Sequence, residues 1–158
     1  MRIGGGLAYF FGKKGFLTMD LEMVDYASIA VSSDELGFND NQQFKAKYNG
    51  NSQKYFQTDI NIKIGAEFRL DKNFSIRGGV AQFGSGYQKN YDPIDRTMQQ
   101  FSGGFGYKSD DFYIDAALIH RVHKDAYTPY VLDNAANYAS STLSIKNTSI
   151  SVTAGIFF

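Results

Sequence analysis

Apolar and polar residues alternate along most of the chain, and the alternation is clearest between Ile60 and Leu70. Every second residue of this segment is apolar, whereas the residues between them include Lys63, Glu67 and Arg69. A two-residue period is typical of a β-strand whose two faces meet different surroundings. The segment is about eleven residues long, which matches a tilted membrane-crossing strand better than an average soluble strand.

Six further segments show the same period, so the sequence predicts seven strands in an up-and-down antiparallel order. They lie at about residues 3–11, 17–23, 74–81, 101–107, 112–121 and 149–158. The first is the weakest because it is rich in glycine, and Ile119 interrupts the alternation of the sixth strand in chain order. The stretch Asp40–Gln57 has few β-branched residues and is compatible with a short helix inside a loop.

Short and long connections alternate along the chain. Residues 12–15, 71–73 and 108–110 form tight turns rich in Gly, Asn, Asp and Lys, whereas residues 31–56, 84–96 and 123–143 form long polar loops. All short turns should therefore lie at one rim, as in outer-membrane barrels, where the short turns are periplasmic. The expected periplasmic rim has Lys13, Lys72, Ser109 and Phe158, and the expected external loops contain Asn49, Tyr91 and Asn134.

Composition supports an all-β membrane protein and removes several other classes. The 158 residues include 14 Phe, 11 Tyr and 16 Gly but only 2 Pro. The absence of cysteine excludes disulfides and thiolate chemistry, and zero net charge without a basic run argues against a nucleic-acid partner. Mean hydropathy is −0.32, and no apolar run approaches the roughly 18 residues of a transmembrane helix. No secretion signal is visible at the first residues.

Two groups of residues near the predicted strand ends fit a barrel. Aromatic residues concentrate near the short-turn rim, where a girdle would meet the membrane interface: Tyr9, Phe10, Phe11, Phe16, Phe74, Tyr107, Phe112, Phe157 and Phe158. The alternating residues Val152, Ala154, Ile156 and Phe158 look like the terminal signal that the barrel-assembly machinery recognises. An ordinary C-terminal strand is the alternative for this segment.

Eight charged residues on the polar side of the strands are the candidate lumen-lining residues. Four are acids and four are bases: Asp20, Glu22, Glu67 and Asp115 against Lys63, Arg69, Arg77 and Arg121. One interpretation is a ladder that neutralises itself, because unpaired buried charge is costly. The other is a field that holds the head group of an amphipathic ligand, with the four bases as the candidates for a carboxylate.

The sequence contains no convincing catalytic or metal-binding motif, so we expect neither enzymatic activity nor a cofactor. His120 and His123 would point to opposite faces of a strand and cannot converge on one metal ion. No serine lies in a nucleophile motif such as G-x-S-x-G, and the glycines around Gly104 precede no helix that could bind phosphate.

Several pieces of the chain resemble the outer-membrane transporters of the FadL/TodX type, in that family's order and spacing. They are Gly6–Tyr9 before a Lys-Lys turn, Asp20–Tyr26, Ile64–Arg69, Ile76–Gly79 and the terminal Phe158. The resemblance implies an antiparallel sheet that forms the C-terminal half of a fourteen-stranded barrel, spanning residues 1–158. It also implies passive uptake of hydrophobic compounds, such as long-chain fatty acids or aromatic hydrocarbons, across the cell outer membrane.

The implied partners are outer-membrane lipid, a hydrophobic small-molecule ligand, the barrel-assembly machinery and a missing N-terminal half. Seven strands cannot close antiparallel, because the first and the last run in the same direction. We therefore expect an open sheet belonging to a longer protein, without a ladder between Ile3–Phe11 and Ser149–Phe158. The alternatives are a small structural or adhesive barrel of the OmpA type and a soluble β-sandwich.

Overall fold

The computed structural model describes residues 1–31, 37–92, 94–129 and 140–158, which form one antiparallel sheet of seven strands. The spatial order of the strands equals their order in the chain, so the predicted up-and-down arrangement is confirmed. The strands are β1 (Arg2–Phe10), β2 (Gly15–Asp25), β3 (Thr58–Arg69), β4 (Phe74–Phe83), β5 (Met98–Lys108), β6 (Phe112–Tyr127) and β7 (Ser141–Ile156).

The last two strands extend further than the alternation predicts. Strand β6 continues to Tyr127 and β7 begins at Ser141, and the two pair along their whole length. Residues 123–127 and 141–143 of the predicted loop therefore belong to strands, and Asn134 lies outside the described residues. The sequence hid this extension because the apolar side changes near that end: Leu143 and Ile145 lie on the concave face, whereas Thr142 and Ser144 lie on the convex face. Backbone pairing identifies the strands there.

The register separates two faces of opposite chemistry. Paired residues of β2 to β5 form one apolar row across the convex face: Met19, Ile64, Val80 and Phe101. Such rows are continuous from strand to strand. These side chains are exposed, and the described residues contain no buried apolar side chain. Ile64, for example, is 40% exposed at the middle of its strand. No second layer covers this face in the described part, so the structure does not show a soluble sandwich.

The short-turn end of the sheet comprises the turns 11–14, 70–73 and 109–111. Neighbouring turns are tied together, because the N–H of Arg69 donates to Lys14 (2.7 Å) and the N–H of Phe157 donates to Asp111 (2.8 Å). Gly12 has φ +60°, a left-handed conformation that glycine adopts without strain. The prediction that all short turns lie at the end where Phe158 lies is thus confirmed.

The aromatic residues predicted for this end do lie there in contact with one another. Ring centroids are 4.8 Å apart for Phe74 and Tyr107, and 5.6 Å apart for Tyr107 and Phe112. Phe10 and Phe16 face each other across the first hairpin at 5.7 Å. Phe74, Tyr107 and Phe112 form a band across β4, β5 and β6 on the convex face, whereas Phe10 and Phe16 lie on the concave face.

The described residues of the long-loop end are 26–31, 37–57, 84–92, 94–97, 128–129 and 140. The first loop carries a short 3-10 helix (Tyr26–Ser28) and helix α1 (Phe38–Tyr55), whose 18 residues exceed the short helix expected from the sequence. Loop 84–97 packs on the C-terminal end of α1, where the backbone N–H of Gln88 donates to Tyr55 (2.9 Å). No helix within the described ranges has the length and apolar content needed to cross a membrane.

The sheet is open, because β1 and β7 each have only one neighbouring strand. The predicted absence of a ladder between the first and the last strand is therefore confirmed. Residues 40–57 contribute a helix rather than an additional strand. Half of a fourteen-stranded barrel would present such edges, whereas a closed small barrel would not.

Candidate functional site: a concave trough

The polar face of the sheet is concave and encloses an open trough of about 690 Å³, which lies within the size range of small-molecule sites. Its floor consists of small residues on neighbouring strands: Thr18, Gly65, Gly79, Ser102, Gly104 and Ala117. Gly65 and Gly79 face each other between β3 and β4, and Gly79 faces Ser102 on β5. The trough exists because no long side chain projects from this part of the concave face.

The glycines of the floor also sit in tight surroundings. A Cβ atom on Gly79 would lie 2.9 Å from the Ser102 hydroxyl and 3.2 Å from the Ile64 carbonyl oxygen. A Cβ atom on Gly104 would lie 3.1 Å from the carbonyl oxygen of Ala116. The close approach explains why glycine occupies these positions, although both have ordinary strand conformations.

Three apolar side chains belong to the same concave surface. Phe16, Phe83 and Ile119 line the trough together with the small residues. Ile119, which breaks the alternation of β6 in the sequence, faces inward opposite Ser102 on one side and Ser149 on the other. An apolar residue on the polar face therefore contributes wall area that suits an apolar ligand.

The end of the trough near the short turns is closed by a charged cluster that we call the arginine network: Glu67, Arg69, Arg77 and Asp115. The guanidinium of Arg77 contacts the Glu67 carboxylate at 2.8 Å and also contacts Asp115. Arg69 lies 3.4 Å from the second oxygen of Glu67. Two acids and two bases thus balance, as the self-neutralising interpretation predicts.

The end of the trough near the long loops has a different charge arrangement. Lys63 lies directly opposite Asp20 in the β2–β3 pairing, yet within the described ranges its Nζ has no carboxylate oxygen within 4 Å. Its ammonium group instead lies 5.8 Å from the centre of the Phe83 ring. Arg121 donates from Nε to Gln100 at 2.7 Å and likewise has no ion pair in that part. We call Lys63 and Arg121 the cation end.

Glu22, the other predicted acid at this end, is already engaged. Its carboxylate is 2.7 Å from the Arg2 guanidinium and accepts a hydrogen bond from Asn61 at 2.9 Å. Asn61 is only 4% exposed and its own oxygen accepts the backbone N–H of Gly84 at 3.0 Å. Glu22 therefore connects to loop 84–97 through Asn61, and its ion pair is with Arg2 rather than with Lys63 or Arg121.

All eight predicted lumen-lining residues lie on the concave face, but the structure divides them into groups. The arginine network brings four of them together, and Glu22, Asp20 and the cation end stay apart from it. Sequence reasoning missed Arg2, Asn61 and Gln100, which are the partners of Glu22 and Arg121. Their signal in the sequence was weak, since each is a single polar residue whose partner depends on the pairing register.

His120 and His123 point to opposite faces, as predicted from their spacing on a strand. Nδ1 of His120 lies 2.8 Å from the Thr148 hydroxyl on the convex face. Nδ1 of His123 is enclosed on the concave face and has no hydrogen-bond partner within the described ranges. The two rings cannot serve one site.

Comparisons with known proteins support the fold. No protein-family model matches the chain, and no curated protein matches it by sequence. Among solved structures, a crystal structure of a Pseudomonas aeruginosa FadL homologue matches with a TM-score of 0.54 at 12% identity. The match covers 97% of this chain and 34% of the homologue, so this chain spans about a third of that protein's length. At this identity the likeness establishes the fold alone.

Proposed function

We propose that the chain forms part of the wall of an outer-membrane β-barrel that takes up hydrophobic compounds passively. The observation that carries the proposal is the pairing of a continuous exposed apolar convex face with a concave trough. A lipid-facing exterior and an open interior are what a transport barrel requires. The structural likeness to a FadL homologue supports the same conclusion at the level of the fold.

The convex face argues for lipid as its surroundings. Exposed apolar patches beyond a few hundred square ångströms mark contact with a membrane or another protein. On β3 and β4 the rows include Ile64, Phe68, Ile76 and Val80, with no charged residue among them. Strands of 9–16 residues also suffice to cross a hydrocarbon core when tilted.

The trough favours an elongated ligand with one polar end. Small residues and apolar walls would accommodate a hydrocarbon chain, and the cation end would attract a negatively charged head group. Long-chain fatty acids combine these two properties, and aromatic hydrocarbons would use the apolar part alone. Within this proposal Lys63 is the preferred carboxylate contact, because Arg69 and Arg77 are already paired with acids.

The proposed partners follow from the open edges and the terminal residues. Unpaired backbone groups cost several kcal/mol each in hydrocarbon, so both edge strands need neighbouring strands within the complete barrel. A further half-barrel would supply them. Val152, Ala154 and Ile156 lie on the convex face of β7 before Phe158, where the assembly machinery would read them.

Membrane placement is tested first. Replacing Ile64 with Arg would put a charge on the lipid face near the middle of β3 and should cost about 2–4 kcal/mol of stability in a bilayer. Exchanging the neighbouring Lys63 for Gln on the concave face is the control and should cost much less. Urea unfolding of the complete barrel that contains this chain, in phosphatidylcholine vesicles, measures both, and equal costs would contradict the placement.

Sidedness is tested with single cysteines, which the natural chain lacks. Asn49→Cys lies at the long-loop end and should react with a membrane-impermeant maleimide on intact cells. Lys72→Cys lies at the short-turn end and should react only after lysis. The reverse pattern would refute the proposed topology.

Transport is tested by uptake of radiolabelled oleate and toluene in Gram-negative cells that carry or lack the gene. Both compounds should enter faster when the gene is present. Lys63→Gln should lower oleate uptake at limiting concentration about five- to tenfold, the loss of one charged contact, and leave toluene uptake unchanged. Lys63→Arg should restore oleate uptake. Uptake that does not depend on the gene would contradict the function.

A further inference from the structure

The apolar rows of the convex face end along a diagonal toward the long-loop end. On β4, β5 and β7 the last apolar residues are Val80, Phe101 and Ile150, and on β6 the apolar row is interrupted after Leu118 and resumes at Val122. Two residues further along each strand, on the same face, the side chains become polar. They are Gln82, Gln99, His120 and Thr148, and we call them, with the next convex residue Lys146, the polar border.

The members of the polar border are close neighbours across the strands. Gln82 lies opposite Gln99, and the His120 Nδ1 atom lies 2.8 Å from the Thr148 hydroxyl. Lys146 lies opposite Val122, one position beyond the His120–Thr148 pair on the same face. Diagonal neighbours of this kind are about 7–8 Å apart in antiparallel sheets, within the span of one phosphate group and its donors.

The charge of this surface is positive. The convex positions of β4, β5, β6 and β7 contain no acidic residue, since Asp115 and Asp125 both point to the concave side. Lys146 is exposed and, within the described ranges, has no ion pair. Lys124, the next convex cation on β6, lies within electrostatic reach of Asp95, so we do not count it in the border.

We propose that the polar border binds a phosphate of a phosphorylated glycolipid in the outer leaflet, an inference that rests on the proposed function. The apolar rows would meet acyl chains, so the residues just beyond them lie at the depth of lipid head groups. An ammonium, an imidazole, a hydroxyl and two amides supply donors suited to phosphate oxygens. The site is on the outside of the wall and differs from the trough in face and ligand.

The inference is tested with the complete barrel that contains this chain in dodecyl maltoside micelles, using diphosphorylated lipid A as the probe and the dephosphorylated glycolipid as its reference. Lys146→Gln should weaken lipid A binding about fivefold, as expected for about 1 kcal/mol per basic residue near anionic lipid. Lys72→Gln removes the same charge at the short-turn end and serves as the matched control. Native mass spectrometry counts the bound lipid at each concentration.

The outcomes separate this inference from the proposed function. Flotation of the complete barrel that contains this chain, with vesicles of phosphatidylcholine alone, tests membrane insertion, and its failure would refute both. Normal flotation with equal binding of the two glycolipids, or an equal loss in Lys146→Gln and Lys72→Gln, would overturn the polar border alone. Equal Lys146 dependence for phosphatidylglycerol would overturn its assignment to the outer-leaflet glycolipid. Binding that depends on glycolipid phosphate and on Lys146 supports it.

Discussion

The two ends of the sheet differ in whether their charged side chains form ion pairs and in the length of the connections between strands. At the short-turn end, tight turns hold the strands in register and the arginine network balances its acids and bases within one cluster. At the long-loop end, helix α1 packs against the 3-10 helix and loop 84–97, while Lys63 and Arg121 keep positive charges that no described carboxylate bridges. The short-turn end therefore has the features of the closed end of the trough, and the long-loop end has those of the end at which a ligand would enter.

The difference shows how one set of strands can be stabilised at one end and can bind a ligand at the other. Paired charges stabilise the neighbouring strands only if their partners are held in place, which short hairpins do at little entropic cost. Unpaired cations contribute little to stability and remain free for a ligand. The substitutions below should separate stabilising residues from binding residues, and they are ordered by the size of the expected change in the free energy of unfolding.

The largest effect is expected for Arg77→Gln at the short-turn end. The substitution leaves Glu67 and Asp115 without their shared guanidinium, and we expect a loss of about 2 kcal/mol. That value lies between those of exposed and buried pairs because the Arg77 side chain is 46% exposed. Urea unfolding in dodecyl maltoside, followed by tyrosine fluorescence because the chain has no Trp, measures it.

Arg69→Gln is the control for the arginine network. Arg69 lies 3.4 Å from Glu67 and its side chain is 55% exposed, so its removal should cost under about 0.5 kcal/mol. Equal losses for Arg69→Gln and Arg77→Gln would show that the network does not centre on Arg77.

A smaller effect is expected for Gly86→Ala at the long-loop end. Gly86 has φ +71°, and a Cβ atom there would lie 2.6 Å from the Tyr26 ring, so we expect a loss of about 1–1.5 kcal/mol. Gly50→Ala in α1 is the matched control, because its Cβ would meet open space and alanine favours a helix. The control should gain stability in the same unfolding experiment. A gain in Gly86→Ala would contradict the strained conformation.

Lys63→Gln should change stability by less than about 0.5 kcal/mol, because Lys63 loses no ion pair. Its effect belongs to uptake of charged ligands, as described above. A stability loss as large as that of Arg77→Gln would remove the contrast between the two ends and show that Lys63 is a structural residue.

The smallest effect concerns Asp95 in loop 84–97. Hydrogen bonds from the Thr97 side chain and backbone N–H lower the pKa of Asp95 below its ordinary value of 3.8. Its contribution is therefore present at neutral pH and is lost as the pH falls through the lowered pKa. Because Asp95 is exposed, Asp95→Asn should cost under about 0.5 kcal/mol at pH 7 and nothing in strong acid. A cost that persists in strong acid would contradict this origin.

The sequence by itself determined the strands and their two faces. Alternation is a local property, since neighbouring side chains in any strand point to opposite sides. Residues such as Ile64 and Lys63 could therefore be assigned to opposite faces without knowledge of their neighbours. The lengths and residue types of the short turns likewise determined which strand ends lie together, because a tight hairpin admits few arrangements.

The alternation failed where a strand changes the side on which its apolar residues lie. Strands β6 and β7 continue into 123–127 and 141–148, where Leu143 and Ile145 lie on the concave face and polar residues of β7 lie on the convex face. The backbone ladder defines these extensions, and they arise from pairing between two segments rather than from either segment alone.

The tertiary structure alone decided which charges meet. Glu67 lies opposite Arg77 because of the register of one hairpin, and Arg77 reaches Asp115 two strands away because only glycines, Gly104 and Gly106, lie between them on β5. The curvature that forms the trough likewise depends on the whole sheet. A sequence states which residues are charged, but their distances depend on register, curvature and the size of every intervening side chain, and these are properties of the assembled sheet.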